Sequence, residues 1–143
     1  QLAAGVLRVH LQFLDVLSSK DIEAAFRAAS KGRANALLVL QSPLASTHRA
    51  EIVDLAVKNR LPAIYPQSDY MDVGGLMFYG ANTTDLYRRA ATFVDKILKG
   101  RTPADLPVEQ PMKFEFIVNL KAAKAIGLTV PPNVLVRAQK VIR

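Results

Sequence analysis

The residues best suited to chemistry are the polar side chains that follow the predicted strands. Gln41 and Ser42 follow one apolar run, Gln67 and its neighbours follow the next, and Tyr79 precedes Asn82 after a third. Ligands of open parallel α/β sheets bind outside the carboxyl ends of the strands, so these side chains are expected to share a site. Neutral hydrogen-bonding groups and tyrosines suit a small polar or aromatic molecule that is held and not transformed. The predicted ligand-binding residues are Gln41, Ser42, Tyr65, Gln67, Ser68, Asp69, Tyr79 and Asn82.

Candidates for catalysis are few. Ser46 and His48 lie close in sequence, but they stand at a predicted helix start, where a hydroxyl is needed as the cap. Asp69 and Asp72 could contact a cation, although two loop carboxylates without further oxygen ligands are more often solvated. The absence of cysteine excludes a thiolate nucleophile and cysteine-ligated metals. The sequence therefore predicts a protein that is not an enzyme and has no metal or cofactor.

The net charge of +7 is concentrated in the second part of the chain. Residues 1–85 contain eight basic and eight acidic side chains, whereas residues 86–143 contain eleven basic and four acidic ones. Phe116 is the last aromatic residue, so no platform for base stacking accompanies the basic end. We interpret that end as a solvated basic helix and expect no binding to nucleic acid.

Length and composition indicate one folded unit. The 143 residues are 50% hydrophobic, which excludes an intrinsically disordered chain and supports one ordinary core. Strict alternation predicts a strand over Leu7 to Val16, and the all-apolar run Ala36 to Leu40 predicts a strand covered on both faces. Ser18 is the predicted cap of a helix in which Ile22, Ala25, Phe26 and Ala29 have helical spacing, and Gly32 is its predicted end. A helix over about Thr47 to Asn59 and a strand over Leu61 to Tyr65 complete a β-α-β-α-β pattern, which indicates a parallel sheet.

The second part of the chain contains the strongest amphipathic helix. Asn82 is its predicted cap, and Gly100 is its predicted end. Its apolar stripe consists of Leu86, Ala90, Phe93, Val94 and Ile97. Further expected elements are a strand over Leu76 to Tyr79, a strand over Lys113 to Val118, a helix over Leu120 to Ile126, and a last helix from Pro131 to about Ile142.

Long segments resemble one known family. YGANTTDLYRRAATFVDKILKGRTPADLPVEQP and KFEFIVNLKAAKAIGLTVPP resemble the carboxyl-terminal half of ABC-transporter substrate-binding proteins of the tryptophan- and tyrosine-binding type. The segments ANALLVLQSP and HRAEIVDLAVKNRLPAIYPQSDYMDVGGLMFYG resemble the central region of the same family. The resemblance covers essentially the whole chain, and the block from DLYRRAATFVDKILKG to LPVEQP is the most specific part of it.

The resemblance implies an α/β fold, namely a parallel-sheet three-layer lobe of a type I periplasmic-binding-protein fold without its amino-terminal lobe. Residues 1–78 would form the second lobe, residues 79–111 the hinge crossings with a helix of the other lobe, and residues 112–143 a return strand and carboxyl-terminal helices. It further implies a periplasmic or extracytoplasmic protein that holds an amino acid or similar solute for the membrane subunits of an ABC importer. Without the other lobe, the amphipathic helix is expected to cause self-association of the chain.

Two alternatives remain at this point. An effector-binding domain of a transcription regulator shares the fold class and would require a helix-turn-helix upstream. A small hydrolase that uses His48 is disfavoured by the missing catalytic constellation. Because Gln1 to Gly5 is typical of the end of a helix, we expect further sequence upstream of this chain.

Overall fold

The structure is a computed structural model that describes residues 2–143, and a five-stranded mixed sheet forms its centre. The strands lie side by side in chain order. The first three are parallel, the third and fourth are antiparallel, and the fourth and fifth are parallel. They are β1 (Leu37–Leu38), β2 (Ala63–Tyr65), β3 (Met77–Ala81), β4 (Phe114–Asn119) and β5 (Lys140–Ile142). The predicted α/β class with a mostly parallel sheet is confirmed.

Helices alternate with the strands as the periodicity predicts. In the second helix, Ile22, Phe26 and Ala29 are buried because their spacing places them on one face. They join Val53 and Ala56 of the fourth helix in one apolar core cluster. The helices are α1 (Leu2–Val6), α2 (Lys20–Lys31), α3 (Pro43–Thr47), α4 (Arg49–Lys58), α5 (Thr83–Leu98), α6 (Leu120–Ala125) and α7 (Pro132–Leu135), and 3₁₀ turns occupy Ser68–Tyr70 and Pro103–Asp105.

The middle strands of the sheet contribute buried side chains to the interior. Phe78 in β3 is 2% exposed and Val118 in β4 is fully buried. A second apolar cluster joins Leu76 to Ala122 and Ala123 of α6. The carboxyl-terminal segment is therefore attached to the sheet through β4, β5 and α6.

The amphipathic helix α5 begins and ends where the sequence predicts. The Asn82 side chain accepts a hydrogen bond from the Asp85 amide, and Gly100 takes a positive φ of 94° just after the helix. Asp85 is the only buried residue of α5, so its apolar stripe is largely uncovered. Within residues 2–143, we find no helix whose length and apolar character would let it cross a membrane.

The strand predicted over Leu7 to Val16 is wrong for this structure. The segment lacks regular secondary structure over most of its length, and Leu7 and Phe13 are 73% and 70% exposed. Its anchors are the Gln12 amide, which donates to the Ala28 carbonyl at 3.2 Å, and Leu14, which packs on the core cluster. An alternating segment becomes a strand only beside a pairing edge, and these contacts attach it to α2.

One other prediction from the first part of the chain needs correction, and one helix there was not predicted. The run from Ala36 to Leu40 is not covered on both faces, because Leu38 is 65% and Leu40 72% exposed. The helix predicted over about Thr47 to Asn59 is present as α4, and the short helix α3, which was not predicted, precedes it and meets it at His48. α3 forms because the Ser42 hydroxyl accepts from the Ala45 amide and proline occupies its first turn.

The last helix predicted from Pro131 to about Ile142 is also wrong. It ends as α7 at Leu135, and the chain then forms β5 along the edge of β4. The Gln139 amide donates to the Phe116 carbonyl at 2.9 Å, which fixes the register of this pairing. A helix of this length is marginally stable on its own. The edge of β4 instead gives the backbone groups of this segment stable hydrogen-bond partners.

Candidate functional site

The carboxyl ends of β1, β2 and β3 meet at one edge of the sheet because these strands are parallel. The predicted site residues follow these ends or occupy them. Gln41 and Ser68 are exposed, whereas Ser42, Gln67 and Asp69 are partly buried. The sheet therefore brings the loop after β1 and the loop after β2 to the same edge.

A hydrogen-bond network joins these two loops. The Ser46 hydroxyl lies 2.7 Å from Gln67 Oε1 and 3.0 Å from the Ser42 carbonyl oxygen. The Ser42 hydroxyl is occupied as the cap of α3, where it accepts from the Ala45 amide at 3.1 Å. Because Gln67 uses its oxygen toward Ser46, the two N–H donors of its amide remain for another acceptor. The side chain of Gln67 is thus held in place by a hydrogen bond from within the chain.

Tyr65 has a different position from the one expected of a ligand contact. Its ring is 2% exposed and stacks on Tyr70 at a centroid distance of 4.7 Å, and Tyr70 itself is fully buried. Burial raises the pKa of both phenols. A Cβ at Gly75 would lie 2.7 Å from the Tyr70 carbonyl oxygen and 3.1 Å from the Tyr65 ring, so glycine permits this packing. In this structure Tyr65 supports the turn that contains Asp69 and does not present its ring to the surface.

Sequence reasoning missed Arg49, which belongs to this edge. It is in the first turn of α4, and its Nη1 donates to the Ser46 carbonyl at 3.0 Å. Its Nε lies 3.7 Å from Asp69 Oδ2. The feature of the sequence that could have pointed to this residue is that Arg49 is the only lysine or arginine between Arg33 and Lys58.

Tyr79 lies in β3, opposite Phe116 of the antiparallel strand β4, and is 56% exposed. Its ring stacks on Phe114 at 5.8 Å, and its contact with Phe116 is edge-on at 6.4 Å. These rings form an aromatic surface at the point where the chain passes from β3 to α5 and returns. An exposed aromatic surface of this kind is suited to stacking on a planar group.

Asn82 has a structural role at this crossing. Its Oδ1 caps α5, and its Nδ2 donates to Glu115 Oε1 at 2.5 Å. The Lys113 ammonium donates to Asp85 Oδ1 at 2.8 Å, which holds the pKa of that carboxyl below its ordinary value. Both ends of the Asn82 amide are therefore used in joining α5 to β4.

The geometry of the remaining candidates does not assemble a nucleophile and base. The Ser46 hydroxyl is engaged by Gln67 and the Ser42 carbonyl, while His48 Nδ1 lies 3.1 Å from Glu51 Oε2. Within the described chain, histidine and acidic side chains form no cluster of three suited to a metal.

Open depressions occur away from the strand ends. One of about 410 Å³ lies beside α6 and is lined by Leu120, Lys124 and Thr129, among others. Another of about 300 Å³ lies between α5 and the segment that contains Glu109 and Gln110. Neither is lined by the predicted site residues.

A family model described as ABC transporter substrate binding protein matches residues 3–142. No curated protein sequence matches the chain. The sequence comparison therefore depends on the family model, which covers almost every residue.

Solved structures resemble the chain along its whole length. A conserved domain protein from Vibrio cholerae has a TM-score of 0.88 and 23% identity, covering 98% of this chain and 47% of that one. An ABC domain in complex with L-Trp from Streptococcus pneumoniae has a TM-score of 0.86 and 23% identity, with 99% and 49% covered. The ligand-free, open structure of a substrate-binding protein with adhesive properties from Clostridium difficile has a TM-score of 0.71 and 22% identity, with 99% and 47% covered. The chain thus spans about half the length of these structures.

Proposed function

Because the chain belongs to the family of ABC transporter substrate-binding proteins, we propose that it forms part of a protein that holds a small organic solute for import. The solute class we propose is an amino acid or a similar molecule, since one structural neighbour is a complex with L-Trp. The transporter's membrane subunits would receive the solute, and the protein would act outside the cytoplasm.

The observation that carries this proposal is the network at the carboxyl edge of the parallel strands. The Ser46 to Gln67 hydrogen bond joins the loops after β1 and β2, so their free polar groups occupy fixed positions. Fixed polar groups on an open edge favour recognition of a solute by orientation. We propose Gln41, Ser42, Gln67, Ser68, Asp69, Tyr79 and Asn82 as the residues of this wall, with Tyr65 behind it.

We propose a division of the chain that follows from this arrangement. Residues 1–78 form the second lobe, residues 79–111 contain the hinge crossings and α5, and residues 112–143 return to the second lobe. The uncovered stripe of α5 supports this division, because Val94 is 54% and Ile97 41% exposed. A first lobe that packs on α5 would cover these side chains and supply the opposite wall of the solute site.

Substitution of Gln67 by alanine is expected to weaken solute binding by about tenfold or more in the protein that carries both lobes. The reason is that a polar group of the bound solute would be buried without the hydrogen-bond partner that Gln67 supplies. Isothermal titration calorimetry with the twenty common amino acids, L-tryptophan included, measures the affinity. Circular dichroism of the variant checks that the fold is retained.

Arg137→Ala and Lys140→Ala are the matched controls, since both residues are exposed and lie near β5, which is at the other end of the strand order. They are expected to leave the affinity unchanged. A loss of affinity in these controls together with an unchanged Gln67→Ala variant would contradict the location of the site.

A further inference from the structure

The basic side chains of the carboxyl-terminal segment have no acidic partner. Residues 120–143 contain five basic side chains and no acidic one, so they carry most of the net charge of +7. All five are exposed, and none takes part in an ion pair within residues 2–143. We call this set the basic edge, and it consists of Lys121, Lys124, Arg137, Lys140 and Arg143.

The pairing of β4 with β5 brings members of the basic edge together. Ile142 lies opposite Asn119, whose side chain caps α6, so Arg143 follows beside the start of that helix. Lys121 and Lys124 are three residues apart in α6 and therefore share its exposed side. Because β5 also packs against α6, the lysine within β5 belongs to the same surface.

The basic edge is separate from the proposed solute site. β4 runs antiparallel to β3, and β5 is parallel to β4. The carboxyl ends of β4 and β5 therefore lie at the opposite edge of the sheet from the carboxyl ends of β1, β2 and β3. Arg143 and the start of α6 follow these ends directly. Recognition of the solute thus does not account for this concentration of charge.

The charge of the basic edge specifies an anionic partner, and its other features favour lipid. A surface with one sign of charge and no internal partners fits a negatively charged surface. Nucleic acid is disfavoured because residues 120–143 contain no aromatic side chain on which a base could stack. Lipid phosphates move laterally, so they can match basic side chains that no contact holds in place. Val136 is 86% exposed beside Arg137 and adds an apolar side chain that can enter the interface between head groups and acyl chains.

We propose that the basic edge binds the phosphate head groups of anionic phospholipids and thereby keeps the protein at a membrane surface. The choice of a membrane over an acidic protein rests on the proposed function, which puts the protein beside the membrane subunits of a transporter. Because the basic edge and the solute site lie at opposite edges of the sheet, lipid binding leaves the solute site accessible. Each basic side chain near an anionic surface strengthens binding by about fivefold.

The test measures co-sedimentation of the protein that carries both lobes with vesicles made of equal parts of phosphatidylglycerol and phosphatidylcholine. Vesicles of phosphatidylcholine alone are the comparison. The wild type is expected to bind only the anionic vesicles, and added sodium chloride should weaken this binding because salt screens exposed charges. The triple variant Lys121→Gln, Lys124→Gln, Arg143→Gln is expected to bind the anionic vesicles about a hundredfold more weakly and to keep its solute affinity.

A matched control removes the same number of exposed basic side chains elsewhere, at both ends of α2 and just after α5. This variant is Lys20→Gln, Lys31→Gln, Arg101→Gln. It should bind the anionic vesicles within a few-fold of wild type, because it lowers the net charge equally but leaves the basic edge intact. Circular dichroism checks that both variants keep the fold.

The outcomes separate this inference from the proposed function. If the wild type binds a solute but neither kind of vesicle, or if both triple variants lose vesicle binding equally, the inference is overturned and the proposed function stands. Tighter binding to poly-L-glutamate than to the anionic vesicles would overturn it in favour of an acidic protein surface. If vesicle binding is lost only in the Lys121 variant while the wild type binds no solute, the lipid surface stands and the proposed solute class fails.

Discussion

Replacement of Tyr70 by alanine is expected to lower the free energy of unfolding by about 3–5 kcal/mol, the range typical of aromatic residues removed from a core. Tyr70 is fully buried and stacks on Tyr65 at 4.7 Å, so its loss would leave a cavity beside the core cluster. The turn that holds Asp69 would lose its attachment to the sheet. Urea unfolding of the 143-residue chain, monitored by circular dichroism, measures the change.

Phenylalanine at the same position should have the opposite effect. Tyr70→Phe keeps the stacked ring and removes a buried hydroxyl that has no partner in the described part of the chain, so stability should rise by about 1 kcal/mol. Tyr87→Ala is the control, because Tyr87 is 74% exposed and should change stability by no more than about 0.5 kcal/mol. A decrease of more than about 1 kcal/mol in Tyr70→Phe would mean that the hydroxyl makes a stabilising hydrogen bond, which would contradict this prediction.

The 143-residue chain alone is expected to self-associate through α5. Leu86, Val94 and Ile97 are 38%, 54% and 41% exposed on one stripe of this helix. Fully burying an apolar side chain of this size contributes roughly 1.5–3 kcal/mol, and covering the exposed half of each of these side chains contributes about half as much, which is enough to favour association when several are covered together. The double substitution Val94→Glu and Ile97→Glu should convert the associated chain to a monomer in sedimentation velocity.

Thr92→Glu is the matched control for this prediction, because it adds a charge to an exposed position of α5 outside the stripe. The control should associate as the unsubstituted chain does. A folded monomer of the unsubstituted chain, with α5 ordered and its stripe uncovered, would contradict the prediction. In the protein that carries both lobes, the same double substitution should instead reduce stability, since the stripe would face the first lobe.

The parts of the fold that the sequence predicts correctly are those fixed by local physical chemistry. The spacing of Ile22, Phe26 and Ala29 determines which face of α2 is buried, and the amide of Asn82 caps α5 from the expected position. Such features depend on neighbours within one or two turns of the chain. The edge of the sheet that carries the candidate site was predictable for a related reason, because successive parallel strands place their carboxyl ends together.

The errors concern segments whose structure depends on distant partners. Leu7 to Val16 alternates like a strand but finds no pairing edge in this chain, whereas Lys140–Ile142 forms β5 because β4 offers one. Arg49 was missed because α4 brings it to the loop after β2 only in three dimensions. Tyr65 stays a predicted ligand contact, and what the sequence did not indicate is that alternation in β2 and its stack with Tyr70 place its side chain in the core of this chain.

The central claim is that solute binds at the carboxyl edge of β1, β2 and β3. The most direct measurement is the change in amide chemical shifts when L-tryptophan, or the amino acid with the highest affinity, is titrated into the ¹⁵N-labelled two-lobed protein. We expect the largest changes in residues 41–49, 65–70 and 79–82, with small changes in residues 133–143. Changes confined to the depression beside α6, around Lys124 and Thr129, would contradict it.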